Sequence, residues 1–388
     1  YGTTPLLQSA FKGSKELCKL LLSKGADVNS NHHEHNYTAL MFAALSGKPD
    51  VCQLMLEAGA KSHKTNAIGK TASEMAAFTG QHECVGVINN YLSMDDIEFE
   101  IHPPTSTSPP RLPLEFVQPL HELFRNTNIH PVRTIMFVCE HLDLFDHEKQ
   151  LLSVIEDLAE SEMKRKEANE VMAFKLHIIH RSLREATRFL AKHPGEDRRK
   201  LLLKFAKTFA ACDENGFERT LELFLRQAIK EFPYHHSVIL NTMVKQLAET
   251  PIGKEPTCTN VLNQTVLGQR AMMNTQFCAA CGQSQAQKRC SKCKRVHYCT
   301  PDCQKFHWFE HKKWCGKIIE EPVSRVAESK SSVAEVTVSP EKNIGAQTDK
   351  HACEDSENII NARSTDKVEL NDIKIEETNG NRSPKENR

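Results

Sequence analysis

The sequence predicts a mainly α-helical, multidomain protein: a solenoid of repeats, a helical middle region, a small finger holding two zinc ions, and a disordered charged tail. Three observations predict this fold. The first 93 residues repeat with a period near 33, and apolar residues between 115 and 250 recur at spacings of 3 and 4. Seven of the 14 cysteines fall between Cys278 and Cys315. Apolar residues at such spacings share one helix face, and crowded cysteines are typical of metal sites.

The composition excludes several classes of function. The 388 residues carry 50 basic and 50 acidic side chains, so no overall field attracts nucleic acid or an anionic membrane. No apolar run approaches the roughly 18 residues that span a bilayer, and we expect no membrane insertion. The other seven cysteines are scattered singly. Because scattered thiols suit a reducing compartment, we expect the cytoplasm, with the nucleus as the alternative.

The repeats occupy residues 1–93, and each begins with a threonine and turns at a glycine. We expect each threonine to cap a first helix by accepting a backbone N–H bond. Each glycine stands where that helix turns back, a place that needs left-handed backbone. Leu20–Leu22 and Leu54–Leu56 are expected to form the buried face of the second helices. The repeating residues are Thr4, Thr38 and Thr71, then Gly13, Gly47 and Gly80.

This pattern resembles ankyrin repeats, whose period is about 33 residues. Repeat one keeps the usual Thr4-Pro5-Leu6 start, and Gly25-Ala26 recurs as Gly59-Ala60. The third repeat lacks the closing Gly-Ala, which predicts a terminal, capping repeat. The chain opens inside a repeat start, and we expect that an N-terminal cap of the natural protein precedes residue 1.

Two linkers are predicted to flank the middle region. Residues 94–114 include a run of prolines, serines and threonines at 103–110, which predicts an extended spacer or, alternatively, a proline-rich ligand. Residues 115–250 predict an antiparallel helical array without a catalytic constellation, and 251–275 predict a second linker. One helical stripe comprises Met172, Leu176, Ile179, Leu183, Ala186 and Leu190.

The cysteines of residues 276–317 have zinc-ligand spacing. Eight potential ligands complete two tetrahedral sites, and they are Cys278, Cys281, Cys290, Cys293, Cys299, Cys303, His311 and Cys315. On a helix His307 would share a face with His311, so spacing alone leaves it as a competing ligand. Four strong ligands for each ion leave no open position for water, which favours two structural zinc ions over catalytic ones.

The finger resembles the MYND family in Tyr298-Cys299, Cys303-Gln304, Trp308 and the His311-x3-Cys315 ending. The resemblance implies interleaved sites in which His307 is not a ligand. It assigns one ion to Cys278, Cys281, Cys299 and Cys303, and the other to Cys290, Cys293, His311 and Cys315. It also implies that Gln304 and Trp308 bind proline-containing peptides. The alternative is that Trp308 packs the small core and Gln304 caps a helix. No nucleic-acid partner is expected, because the net charge is modest and no recognition helix stands out.

The order of the segments resembles the family of ankyrin-repeat and MYND-domain proteins. That resemblance implies a non-enzymatic adaptor between proteins, acting in the trafficking or maturation of signalling proteins, including those destined for cilia. The alternative is a MYND-containing lysine methyltransferase or a nuclear transcriptional co-regulator, but no Gly-rich cofactor segment accompanies the finger. Residues 318–388 are charged, lack Phe, Tyr and Trp, and are predicted to be disordered.

Overall fold

The structure is a computed structural model and describes residues 2–30, 32–104, 109–267 and 276–316. The tail predicted to be disordered lies outside these residues, as do residues 105–108 of the proline-rich spacer. The described chain is helical apart from one small hairpin in the finger. Within it, no helix is long and apolar enough to cross a bilayer.

Three helix pairs form the repeats, and the predicted caps are present. The threonine hydroxyls of Thr4, Thr38 and Thr71 each accept a bond from the backbone N–H three residues on. The glycines after the first helices have positive φ: 72° at Gly13, 66° at Gly47 and 74° at Gly80. The helices are α1 (Pro5–Lys12), α2 (Lys15–Ser23), α3 (Ala39–Ser46), α4 (Pro49–Glu57), α5 (Ala72–Phe78) and α6 (His82–Asn89).

The buried face of α2 differs from the prediction. Leu20 is 54% exposed, while Cys18 is fully buried and its thiol donates to Ser9 Oγ at 3.2 Å. In α4, Met55 and Leu56 are buried as expected. A run of three leucines does not by itself tell which of them faces the neighbouring repeat, so the prediction for Leu20 is wrong.

Both predicted linkers contain a helix. Residues 94–101 form α7 (Met94–Ile101), which begins where Ser93 Oγ accepts from Asp96 N at 3.1 Å. Ile97 and Ile101 are fully buried, and this burial stabilises a helix that the adjacent prolines concealed in the sequence. In the second linker, α15 (Cys258–Leu267) packs against α14 (Val238–Ala248). Residues 94–101 and 258–267 are therefore helical, and the prediction that they belong to linkers is wrong.

The middle region is the predicted helical array. Its longest pair, α10 (Glu148–Lys164) and α11 (Glu170–Ala191), makes the most extensive contact in the fold. The predicted stripe of α11 is buried from Met172 to Ala186. The other helices are α8 (Val117–Arg125), α9 (Pro131–Val138), α12 (Arg198–Phe209) and α13 (Arg219–Lys230), with 3-10 turns at Leu114–Phe116 and Leu142–His147.

The buried side chains fall into two apolar cores. One belongs to the repeats and runs from Leu6 to Ile88. The other begins at Leu92, fills the array, and continues without a break into the finger as far as Cys315. The finger consists of β1 (Lys288–Arg289) and β2 (His297–Tyr298), paired antiparallel, followed by α16 (Pro301–His311).

A polar seam joins the last repeat to the array. Asn90 Nδ2 donates to Val266 O at 3.2 Å, and Asn169 Nδ2 donates to Asn89 O at 3.1 Å. The buried Nζ of Lys175 donates to Asn90 Oδ1 at 3.1 Å. The third repeat is therefore the terminal one, but its outer side faces the array through these hydrogen bonds.

Candidate metal centre

Two tight turns present the first four cysteines of the finger. In the first turn, Gly282 N donates to Cys278 O at 2.8 Å, and Gly282 has a φ of +69°. In the second, Lys294 N donates to Cys290 O at 2.9 Å, and Lys294 has a φ of +55°. A positive φ directly after each Cys-x2-Cys segment lets the chain reverse, so that both thiols of a pair point to one place.

The remaining ligands are carried by the residue after β2, by α16 and by the turn that follows it. Thr300 caps α16 by accepting from Cys303 N at 3.1 Å, which fixes Cys303 in the first turn of the helix. His311 is the last residue of α16, and Cys315 N donates back to His311 O at 2.9 Å. Because one helix carries a ligand at each end, it contributes to both sites, and the sites are interleaved along the chain.

The structure brings the eight side chains together in two groups of four. Within each group the potential ligand atoms all lie within 4.8 Å of one another. The first group is Cys278, Cys281, Cys299 and Cys303; the second is Cys290, Cys293, His311 and Cys315. These are the sets that the resemblance to MYND fingers implies.

The spacing of the donor atoms fits tetrahedral zinc. Sγ–Sγ distances are 3.6 Å for Cys281–Cys299, 3.4 Å for Cys299–Cys303 and 3.7 Å for Cys303–Cys281. Zn–S bonds of about 2.3 Å in a tetrahedron place sulfurs about 3.8 Å apart, whereas a disulfide would place them at about 2.05 Å. The two groups therefore fit two structural zinc ions.

The second group fits equally well. Cys290 Sγ lies 3.8 Å from Cys315 Sγ, and Cys293 Sγ lies 3.5 Å from His311 Nε2. Burial lowers the pKa of His311, which favours the neutral imidazole that a metal requires. When bound, zinc would supply the cross-links that hold these short loops and α16 in one fold.

His307 lies outside both groups. Its Nδ1 is 3.2 Å from Tyr298 Oη, and burial lowers its pKa to about 4. The structure thus separates the two histidines that spacing alone left in competition.

The contacts between the finger and the array were not predicted. Asn128 Nδ2, in the loop before α9, donates to Cys281 O at 2.7 Å. A Cβ on Gly282 would lie 2.9 Å from His130 Cδ2, so only glycine allows this close approach. Elsewhere in the finger, Lys207 Nζ lies 5.5 Å from the centre of the Phe309 ring. Because these partners are distant in sequence, no local pattern could have revealed them.

Gln304 and Trp308 lie on α16, four residues apart and thus on one face. Trp308 is 44% exposed, and Gln304 is half-buried. Their role in peptide binding stays a prediction.

Comparisons with known proteins match the same two regions. Residues 6–96 match ankyrin repeats in three copies, and residues 278–315 match the MYND finger. The chain is 37% identical over 319 residues to Dauer abnormal formation protein 25 of Caenorhabditis elegans, covering 81% of this chain and 82% of that protein. It is also 52% identical over 40 residues to the Drosophila melanogaster zinc finger MYND domain-containing protein 10 homolog, covering 10% and 9% of the two chains.

The fold and the site define a class: a helical protein that combines ankyrin repeats with a two-zinc MYND finger, both of which mediate interactions between proteins. The similarity to the Caenorhabditis elegans protein extends over most of both chains. The chain belongs to the family of ankyrin-repeat and MYND-finger proteins that includes Dauer abnormal formation protein 25.

Proposed function

We propose that this protein is a non-enzymatic adaptor that binds one folded partner with its ankyrin repeats and a proline-containing peptide with its finger. The observation that carries the proposal is the exposure of Trp308 on a helix fixed at both ends by zinc ligands. Nearly half of this large apolar side chain faces solvent, so it is available to a partner. An exposed indole on a rigid helix suits the face of a proline ring.

The repeats offer a second apolar surface. Phe11 is 52% exposed and its ring centre lies 5.7 Å from that of half-buried Phe42. Phe78 follows Thr71 by the same seven residues as Phe11 follows Thr4, and it is 93% exposed. Phe11 and Phe78 therefore occupy equivalent positions of the first and third repeats, and half-buried Leu45 occupies that position in the second. Because α1, α3 and α5 pack side by side, these apolar side chains suit a surface for a protein partner.

By resemblance to its family, the adaptor serves the trafficking or maturation of signalling proteins, including those destined for cilia, and it acts in the cytoplasm with an association with cilia. The nucleus is the alternative location. The methyltransferase and the nuclear co-regulator are not favoured, since the two matched families are typically interaction modules and both zinc groups are saturated by four protein ligands.

Peptide binding tests the finger's part of this proposal. Zinc-loaded full-length protein is titrated with fluorescent ten-residue peptides that contain two prolines, and with the same peptides carrying alanine instead. We expect the proline peptides to bind more tightly and Trp308→Ala to weaken them by about tenfold, a loss of about 1.4 kcal/mol. Lys305→Ala, an exposed residue of the same helix, is the control and should change nothing.

Unchanged binding by Trp308→Ala would make Trp308 purely structural. Proximity labelling in ciliated cells, with intact protein and with Cys290→Ser, tests the wider role. We expect ciliary signalling proteins among the labelled partners of the intact protein. Their absence would contradict the assignment to trafficking. It would not affect the proposal that the finger binds proline-containing peptides, which the titration tests.

A further inference from the structure

Residues of the finger and the array line an open cavity of about 480 Å³ that neither zinc group explains. Its walls come from the α12–α13 loop and the start of α13, and from the start of α15 and the residues before it. The finger contributes its hairpin and its C-terminal turn. Gln304 and Trp308 do not line it. The volume falls in the range of about 300–1,000 Å³ that is typical of ligand pockets.

Three aromatic rings form the apolar part of the wall. Phe217, Phe277 and Trp314 line the cavity, and each is half-buried. Aromatic faces attract cations and also pack against the aliphatic stems of lysine and arginine. The rings therefore favour a ligand that is long, apolar along its stem and positively charged at its end.

One carboxylate at the cavity lacks a partner within the described part of the chain. Glu218, at the start of α13, is half-buried and lines the wall. Burial, and then the nearby carboxylate of Glu310, raise the pKa of Glu218 to about 7, and no cation lowers it. Because the charged form of Glu218 is disfavoured there, a cation beside it would stabilise the carboxylate.

The neighbouring carboxylates are already satisfied. Glu222 Oε1 pairs with Arg226 Nε at 2.7 Å, and Glu310 Oε2 pairs with Lys313 Nζ at 2.8 Å. Glu255 Oε2 accepts from Asn260 Nδ2 at 2.7 Å. Glu218 is thus the acid that remains for a ligand.

A buried histidine supplies the second, independent sign of a ligand. His307 is 3% exposed and lines the cavity. Its Nδ1 is engaged by Tyr298 Oη, while its Nε2, on the opposite edge of the ring, has no hydrogen-bond partner among the described residues. Buried polar atoms are nearly always paired, so a polar group of a ligand is expected there.

An anionic ligand fits less well. Arg295 also lines the cavity, but its side chain is exposed and therefore lies at the rim, where solvent screens its charge. Glu218 is the acid inside the cavity. A negative group beside it would raise its pKa further, whereas a cation would favour its carboxylate form.

We propose that this cavity binds a lysine or arginine side chain from a peptide segment of a partner protein. The cationic group would donate hydrogen bonds to Glu218, and its stem would pack against Phe217 and Trp314. A polar group of the peptide would bond to His307 Nε2. The site is separate from the face of Gln304 and Trp308, so a partner could engage both with different residues.

Fluorescence polarisation with full-length, zinc-loaded protein tests the proposal. The probes are labelled Ala-Ala-Xaa-Ala-Ala peptides in which Xaa is lysine, arginine, norleucine or glutamate, with both termini blocked. We expect the lysine and arginine peptides to bind at least tenfold more tightly than the norleucine peptide. Equal binding of lysine and norleucine, or tighter binding of glutamate, would overturn the proposal without any variant.

Glu218→Gln keeps the shape of the side chain and removes its charge. We expect it to abolish the preference for lysine over norleucine, while Glu214→Gln, an exposed acid of the same loop outside the cavity wall, keeps it. Trp308→Ala should also keep the preference. If Trp308→Ala removed it and Glu218→Gln did not, the peptides would be binding the other face and the proposal would be wrong.

Discussion

The ankyrin repeats and the zinc finger are attached to the same helical array in different ways. The repeats bury their own apolar core and meet the array through a polar seam at Asn90, Asn169 and Lys175. The finger shares one continuous apolar core with the array. Asn128 donates a hydrogen bond to Cys281 O in the first Cys-x2-Cys turn, and His130 lies close to Gly282. The repeats therefore have a core of their own beside the array, while the finger belongs to the core of the array.

This difference changes what zinc does for the molecule. A finger that hung on a linker would lose only its own fold without zinc. Because Cys278, Cys290 and Cys315 belong to the array's core, loss of zinc removes one wall of that core. We infer that the metal stabilises the array as well as the finger, and leaves the repeats largely unaffected.

The largest expected effect comes from a zinc ligand. Cys290→Ser should reduce bound zinc below two ions per chain and lower the free energy of unfolding of the array by about 3 kcal/mol or more, since zinc binding contributes about 10–16 kcal/mol in isolated fingers. Cys212→Ser, a half-buried thiol outside both zinc groups, is the control. Metal analysis and urea denaturation measure the two quantities; an unchanged array would show that the finger folds apart from it.

The polar seam should make stability depend on pH. Burial lowers the pKa of Lys175 to about 7, below the value near 10.5 expected in the unfolded chain. Between these values the unfolded state binds the proton and the folded state does not, so stability from this residue rises with pH, by up to about 1.4 kcal/mol per unit.

The variant Lys175→Met should remove that rise between pH 7 and pH 9, and Lys245→Met, at an exposed lysine of α14, should keep it. Urea denaturation at pH 7, 8 and 9 gives the comparison. The same pH dependence in Lys175→Met and in the unaltered protein would show that Lys175 does not titrate in this range.

The close approach of Gly282 to His130 predicts a moderate effect. Gly282→Ala combines a φ of +69° with a Cβ 2.9 Å from His130 Cδ2, and we expect a loss of about 2 kcal/mol. Gly195→Ala has a φ of +85° and nothing within 4 Å, so it should cost only about 1 kcal/mol. Equal losses in thermal or urea denaturation would mean that the contact with His130 carries no energy.

The smallest expected effect is at Asn128. Asn128→Ala removes the hydrogen bond to Cys281 O and should destabilise the array and finger together by about 1 kcal/mol, with zinc still bound at two ions per chain. The measurement is urea denaturation followed by metal analysis of the folded protein. Loss of zinc without loss of array stability would contradict a shared core.

Much of the finger could be predicted because its determinants are local. The Cys-x2-Cys turns, the Thr300 cap and the four-residue steps of α16 are all encoded within a few residues of each other. The same is true of the ankyrin caps at Thr4, Thr38 and Thr71. The assignment of the eight ligands to two zinc ions depended on the resemblance to the MYND family, because the spacing of the residues also allowed other assignments.

What could not be predicted depends on distant contacts. Asn128 and Cys281 are 153 residues apart, and no sequence pattern near either residue indicates that they are in contact. Lys175 was concealed by its residue type, because lysines are seldom buried. Helix α7 was concealed by the prolines that follow it, although Ile97 and Ile101 have helical spacing.

Hydrogen exchange of the full-length protein, with and without a zinc chelator, tests the shared core most directly. We expect chelation to remove amide protection from the finger and also from α9 and α13, while α3 and α4 in the repeats keep theirs. If protection were lost in the finger alone, the array would be independent of zinc, and the finger and the array would not share a core.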